Sequence, residues 1–159
     1  MNPLSRKFST LKYLPRYRDK RGIVFIDAKF GNCKTLVQQI DNQLRVIVLS
    51  SHRNVLAEIA EVLAFSSCEE IYLIARGFPG CLYLGGTELS LNTLLNHSSE
   101  LALWFNNSTD ATEGERRLYL YGNDVAAGDV GAEFIAKLGS ILGATIIASA
   151  RVSQELLSK

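Results

Sequence analysis

Two short segments of the chain begin as apolar strands and then break into glycine-containing loops, and this pattern constrains the fold most. The first covers residues 73–80 and reads Leu-Ile-Ala-Arg-Gly-Phe-Pro-Gly. The second covers residues 118–128 and reads Leu-Tyr-Leu-Tyr-Gly-Asn-Asp-Val-Ala-Ala-Gly. In α/β proteins the loops that follow parallel strands lie at the carboxyl edge of the sheet, where functional groups are presented. We therefore expect both loops at one edge of such a sheet.

Five apolar segments have the length expected of buried strands, and segments with helical spacing separate most of them. The predicted strands cover residues 23–27, 44–49, 70–75, 117–121 and 145–148. The predicted helices cover residues 36–40, 55–63, 91–104 and 130–142. Because strands and helices alternate, the sequence predicts an α/β fold in three layers. Its sheet is mainly parallel, has about five strands and carries helices on both faces.

Polar residues and glycines predict where several elements begin, turn or end. Asn54 and Ser90 are good N-cap residues for the second and third helices. Gly143 is expected to end the last helix. The Gly85-Gly86 pair predicts a tight turn in a small hairpin over residues 81–89.

Charge is distributed unevenly along the chain. Residues 1–21 hold seven basic residues and one acidic residue, a net charge of +6, whereas the remainder carries −5. Prolines at positions 3 and 15 and the lack of an apolar period favour an extended N-terminal arm over residues 1–21. Residues 22–159 are expected to form the α/β domain. A basic arm on an acidic body indicates a partner, or contact of the arm with its own domain.

The remaining composition excludes several classes of protein. No apolar run approaches the roughly 18 residues that span a bilayer, so an integral membrane protein is not expected. No secretory signal is predicted, since no apolar stretch follows the basic N-terminus. The three cysteines, at positions 33, 68 and 81, form neither a disulfide framework nor a zinc pattern. We expect reduced thiols, a cytoplasmic location, and no metal or cofactor.

The two loops resemble those of an uncharacterised bacterial domain that is common in cyanobacteria and occurs in large repeat-rich surface proteins. That domain in turn resembles the caspase, gingipain and separase group of cysteine peptidases. The matching residues are Gly77, Pro79, Gly80, Tyr121, Gly122, Val125, Ala126 and Gly128. The resemblance covers about residues 23–150 and implies a caspase-like three-layer sandwich.

Both reactive positions depart from the family's pattern. Arg76 stands where the resemblance implies the histidine base, and Asn123 stands where it implies the cysteine nucleophile. Without a thiolate and its base, the family's chemistry cannot run, so no catalytic residues are expected. What remains is a degenerate cleft, which comprises Arg76, Gly77, Gly80, Gly122, Asn123 and Asp124.

The cleft residues have ordinary structural interpretations beside the functional ones. Arg76 is expected to pair internally with Asp124 or Asp27, or else to bind an anionic ligand or a partner. Asn123 and Asp124 favour a turn, and a binding role in the cleft is the alternative. Cys81 follows the first loop closely, and a small buried hydrophobe is the main interpretation of it. A hydrolase with an altered site near Cys81 is the alternative.

The arm interleaves cations with aromatic residues, a composition suited to an acidic protein groove or to nucleic acid. Its candidate partner-binding residues are Arg6, Lys7, Phe8, Lys12, Tyr13, Arg16, Tyr17 and Arg18. The arm also contains Leu4, Leu11 and Leu14, and these leucines favour a protein partner over nucleic acid. The sequence thus favours a non-catalytic adaptor, linker or scaffold subunit of a larger assembly. The alternatives are the hydrolase and a nucleic-acid-binding module that uses the arm.

Overall fold

The computed structural model describes residues 21–50, 54–66, 70–105 and 116–158. All structural statements below concern these ranges. The predicted arm lies outside them except for Arg21, whose backbone N–H donates to the Gln43 carbonyl at 2.9 Å.

A parallel five-stranded sheet forms the centre of the fold, as predicted. Its strands are β1 (Gly22–Asp27), β2 (Leu44–Leu49), β3 (Glu70–Ile74), β7 (Arg117–Tyr121) and β8 (Thr145–Ser149). They lie in the order β2-β1-β3-β7-β8. Every residue of β1 is buried, as expected of a central strand covered on both faces. The chain passes from β1 to β2 on one side and then forms β3 on the other side of β1. The carboxyl ends of β1 and β3 therefore border a topological switch point.

Helices pack on one face of the sheet. They are α2 (Val55–Ala64), the short α3 (Ser98–Ala102) and α4 (Gly128–Leu142). Leu56 and Phe134 are fully buried in this core, beside Phe25 of the sheet. The Asn54 side chain accepts a hydrogen bond from the Ala57 N–H at 3.3 Å and caps α2, as predicted. Gly143 ends α4 in the left-handed conformation, also as predicted.

The opposite face is covered by α1 (Cys33–Gln39) and by the segment after β8. This segment returns across the sheet to a 3-10 helix (Gln154–Leu156), whose Leu156 is fully buried. The Asp41 N–H donates to the Leu156 carbonyl at 2.8 Å. The last described residues therefore close this side of the core rather than extend the sheet.

The small hairpin over residues 81–89 is confirmed, since β5 (Cys81–Leu84) pairs antiparallel with β6 (Thr87–Ser90) across the Gly85-Gly86 turn. A further strand, β4 (Arg76–Phe78), pairs with β5 and makes a three-stranded antiparallel sheet. The helix predicted after Ser90 is corrected. Ser90 does not cap a long helix. It ends β6, and its N–H donates to the Thr93 hydroxyl at 2.9 Å. The predicted helix over residues 91–104 is consequently reduced to a 3-10 helix (Leu94–His97) followed by α3.

None of the helices in the described ranges has the length and apolar character needed to cross a bilayer.

Candidate functional site

The two glycine loops meet at the carboxyl edge of the main sheet, as the sequence predicts. The first follows β3 and the second follows β7, and these strands are neighbours. The Gly80 N–H donates to the Val125 carbonyl at 2.8 Å, which joins the loops directly. A Cβ atom on Gly77 would lie 3.4 Å from the Asn123 Cβ. The cleft residues that follow the two strands therefore form one cluster.

Arg76 extends from the start of β4 towards Asp27 at the end of β1. Its Nε lies 4.0 Å from the Asp27 Oδ2. Asp27 is fully buried, whereas the Arg76 side chain is 48% exposed. The Lys29 N–H donates to Asp27 Oδ1 at 3.4 Å, and Oδ2 has no hydrogen-bond partner among the described residues. Of the two internal partners expected for Arg76, the structure places Asp27 beside it.

Asn123 acts as a joint between the ends of β3 and β7. The residue is only 7% exposed. Its Nδ2 donates to the Ala75 carbonyl at 2.9 Å and, more weakly, to the Tyr121 carbonyl at 3.4 Å. Its Oδ1 accepts from the Val125 N–H at 3.0 Å, which closes a turn. Both ends of the amide are thus engaged within the protein, and they hold the two loops together.

Gly122 allows a close approach that a side chain would block. Its φ of 87° lies in the left-handed region, where glycine is favoured. A Cβ atom here would lie 2.6 Å from the Phe30 Cε2, so the aromatic ring packs against the bare backbone. Phe30 therefore covers this part of the edge.

Asp124 has a different environment from Asn123. It is exposed, and its carbonyl accepts from the Ala127 N–H at 3.0 Å just before α4 begins. This backbone bond fits the turn role expected of the Asn123-Asp124 pair.

The surroundings of Cys81 disfavour the thiolate form that a nucleophilic cysteine needs. It is 4% exposed, and its Sγ donates to the Glu88 Oε1 at 3.3 Å. Burial, and then the hydrogen bond to Glu88, raise the pKa of the Cys81 thiol. Because the thiolate is the reactive form, a raised pKa lowers the reactive fraction at neutral pH.

Among the described residues, the one histidine has a recorded partner other than Cys81. His97 contacts Glu100, with 3.4 Å between Nδ1 and Oε1. His52 lies outside the described residues. The described part of the chain also contains no group of three or more His, Cys, Asp or Glu side chains that could hold a metal ion.

Phe30 and Cys33 belong to the same edge, although the sequence analysis did not select them. Both follow β1, and burial followed by the Asp27 charge raises the pKa of the Cys33 thiol. The available signal was their position, because every loop after a parallel strand reaches this edge. The candidate partner-binding residues of the arm lie outside the described residues.

Among protein-family models, one described as a domain of unknown function, DUF4347, matches residues 23–153. The comparisons with curated proteins and with solved structures gave no match.

Proposed function

The chain belongs to the family described as the domain of unknown function DUF4347, and we propose that it is a non-catalytic, caspase-like pseudoenzyme. Its α/β domain serves as a folded scaffold, and its basic N-terminal arm binds a protein partner. The protein then acts as an adaptor or linker subunit of a larger assembly.

The observation that carries this proposal is the set of hydrogen bonds that the Asn123 side chain makes within the fold. A carboxamide is not a nucleophile, and this one bonds to Ala75, Tyr121 and Val125 inside the fold. The position where the resemblance implies a reactive thiol thus has a structural role. The hydrogen bonds of Asn123 join the ends of β3 and β7, which gives the two loops a structural role.

The environment of Arg76 supports the same conclusion. An arginine side chain stays protonated in proteins and cannot serve as a general base. Here its charge faces the buried Asp27 carboxylate at 4.0 Å. Because an isolated buried carboxylate is strongly destabilising, the guanidinium has a structural reason to occupy this place.

The hydrolase alternative finds less support. The Cys81 thiol is buried and hydrogen bonded to Glu88, and its pKa is raised. These properties oppose formation of a thiolate, which a cysteine hydrolase requires.

Partner binding is assigned to the arm because its composition combines two kinds of contact. Charged contacts at the rim of an interface mainly accelerate association. Buried aromatic side chains mainly slow dissociation, and the distal part of the arm supplies Phe8 and Tyr13. An arm of this kind suits a partner groove that is acidic at its rim and apolar at its floor.

Affinity capture from the native host tests the arm's role, with the full chain compared against a chain that begins at Arg21. We expect the arm-less chain to lose the partner while its melting temperature stays within about a few degrees, since the arm's sequence lacks the periodic apolar residues of a core element. With the captured partner purified, the pair Phe8→Ala and Tyr13→Ala should raise the dissociation rate. Neutralising Arg6, Lys7 and Lys12 should instead slow association and reduce its salt dependence.

Equal capture by the two chains would contradict the assignment of binding to the arm. Tight binding of single-stranded nucleic acid at physiological salt, lost with the arm, would favour the nucleic-acid alternative.

A further inference from the structure

A cavity of about 850 Å³ opens at the amino edge of the sheet, on the side opposite to the two glycine loops. Its lining includes Ile40, Tyr72 and Leu157, which provide apolar surface. The Tyr72 ring stacks on Tyr119 with 4.7 Å between centroids, so this wall is rigidly packed. The cavity therefore has an apolar floor at the end of the molecule where the arm joins the domain.

Carboxylates line the rim of the same cavity. Among the described residues that line the cavity, Asp41, Glu70 and Glu155 contribute three acidic groups and Arg21 contributes one cation. Arg21 donates through Nη2 to the backbone carbonyl of Glu155 at 2.9 Å rather than to a carboxylate. The ion pairs recorded among the described residues, Arg76 with Asp27 and His97 with Glu100, involve none of the three acids. The rim thus carries an excess of negative charge.

The Glu70 carboxylate is held in position by its neighbour on β3. The Tyr72 hydroxyl donates to the Glu70 Oε2 at 2.7 Å. Burial, and then this hydrogen bond, raise the pKa of the Tyr72 hydroxyl, so it remains a donor throughout the physiological range. Glu70 is therefore a fixed acceptor for a cation that enters the cavity.

The first described residue of the domain lies at this cavity. The Arg21 N–H donates to the Gln43 carbonyl and continues the pairing of β1 with β2, and Arg21 also lines the cavity. The arm is therefore attached to the domain at the cavity. The seven residues 14–20 read Leu-Pro-Arg-Tyr-Arg-Asp-Lys. When extended they span up to about 23 Å, enough to cross the cavity. They offer Leu14 and Tyr17 for its floor. Their three cations and one acidic residue, Asp19, leave a net charge of +2 for its rim.

We propose that residues 14–20 dock into this cavity of their own domain, with Arg16, Arg18 and Lys20 facing the acidic rim and Tyr17 the apolar floor. Tethering makes the contact intramolecular, so a weak interaction is well populated. This inference goes beyond the proposed function, since the partner contacts tested above lie at Phe8, Tyr13 and the more distal cations.

Limited trypsin digestion of the full chain tests the proposal. The cleavage rate at each bond is compared between variants, and different bonds are not compared with one another. Replacing Glu70 and Glu155 with glutamine should accelerate cleavage after Arg16, Arg18 and Lys20 by about fivefold, because two rim charges are lost. Cleavage after Arg6, Lys7 and Lys12 should not change. The matched control, Glu61→Gln with Glu133→Gln, removes two exposed helical charges elsewhere and should leave every rate unchanged.

Raising the salt concentration to about 0.5 M should accelerate cleavage of the proximal bonds in the unmodified chain, since exposed charge pairs are screened. Diluting the protein a hundredfold should change nothing, because the contact is within one chain. The proposal is wrong if the rim variant leaves the proximal rates unchanged. It is also wrong if protection disappears on dilution, since the occupant would then be a second copy. Either result leaves the partner-binding test at Phe8 and Tyr13 unaffected.

Discussion

Replacing Gly131 with alanine is expected to lower the melting temperature by roughly 10 °C, which corresponds to a loss of about 3 kcal/mol for a domain of this size. Gly131 lies in the first turn of α4, where the helix presses on the second glycine loop. A Cβ atom there would lie 2.6 Å from the Val125 carbonyl oxygen and 2.7 Å from that of Ala126. Both atoms belong to the backbone, so the helix or the loop must move. The higher helix propensity of alanine offsets only about 1 kcal/mol.

The matched control is Gly86→Ala, because a Cβ atom on Gly86 would meet nothing within 4 Å. This control should leave the melting temperature almost unchanged. If Gly131→Ala unfolds at the same temperature as Gly86→Ala, α4 does not hold the loop as tightly as described.

Asn123→Ala is expected to destabilise the domain by about 3 kcal/mol, because it leaves the buried Ala75 carbonyl and the Val125 N–H without their partners. Urea unfolding measures this loss. Asn123→Asp should be at least as damaging. Aspartate keeps an acceptor for Val125 but places a carboxylate oxygen where the amide donates to two carbonyls.

Asn96→Ala serves as the control, since Asn96 is exposed and should contribute less than about 0.5 kcal/mol. If aspartate at position 123 proved neutral, Asn123 would serve only the turn, and the joint between β3 and β7 would be refuted.

The fold could be predicted from the sequence wherever a short-range pattern determines the structure. The five strands follow their apolar runs, Asn54 caps α2, and Gly143 ends α4. The prediction of a long helix after Ser90 was wrong. Ser90 pairs with Cys81 and so belongs to a strand, at a position where the helical spacing of the apolar residues predicted the start of a helix. The return of the chain to bury Leu156 depends on contacts between distant residues, which periodicity does not encode.

The candidate site was predictable in outline and less so in detail. Strand ends followed by glycine loops predicted that Arg76 and Asn123 would share one edge. The internal partner of Arg76 was left between Asp27 and Asp124, and strand order does not decide it, because β1 and β7 are both adjacent to β3. The side-chain geometry decides it, since it places Arg76 beside Asp27. The packing of Phe30 against Gly122 was not predicted, because a lone aromatic residue after a strand has no distinctive local signal.

The most direct test of the non-catalytic assignment is digestion of a diverse peptide mixture with the purified full chain, followed by mass spectrometry of the products. We expect no cleavage above a heat-denatured control. The single variant Asn123→Cys should also be inactive, because Arg76, which cannot act as a base, occupies the position where the resemblance implies the histidine. Cleavage by the unmodified chain that disappears in Cys81→Ala would contradict the assignment and would establish the hydrolase instead.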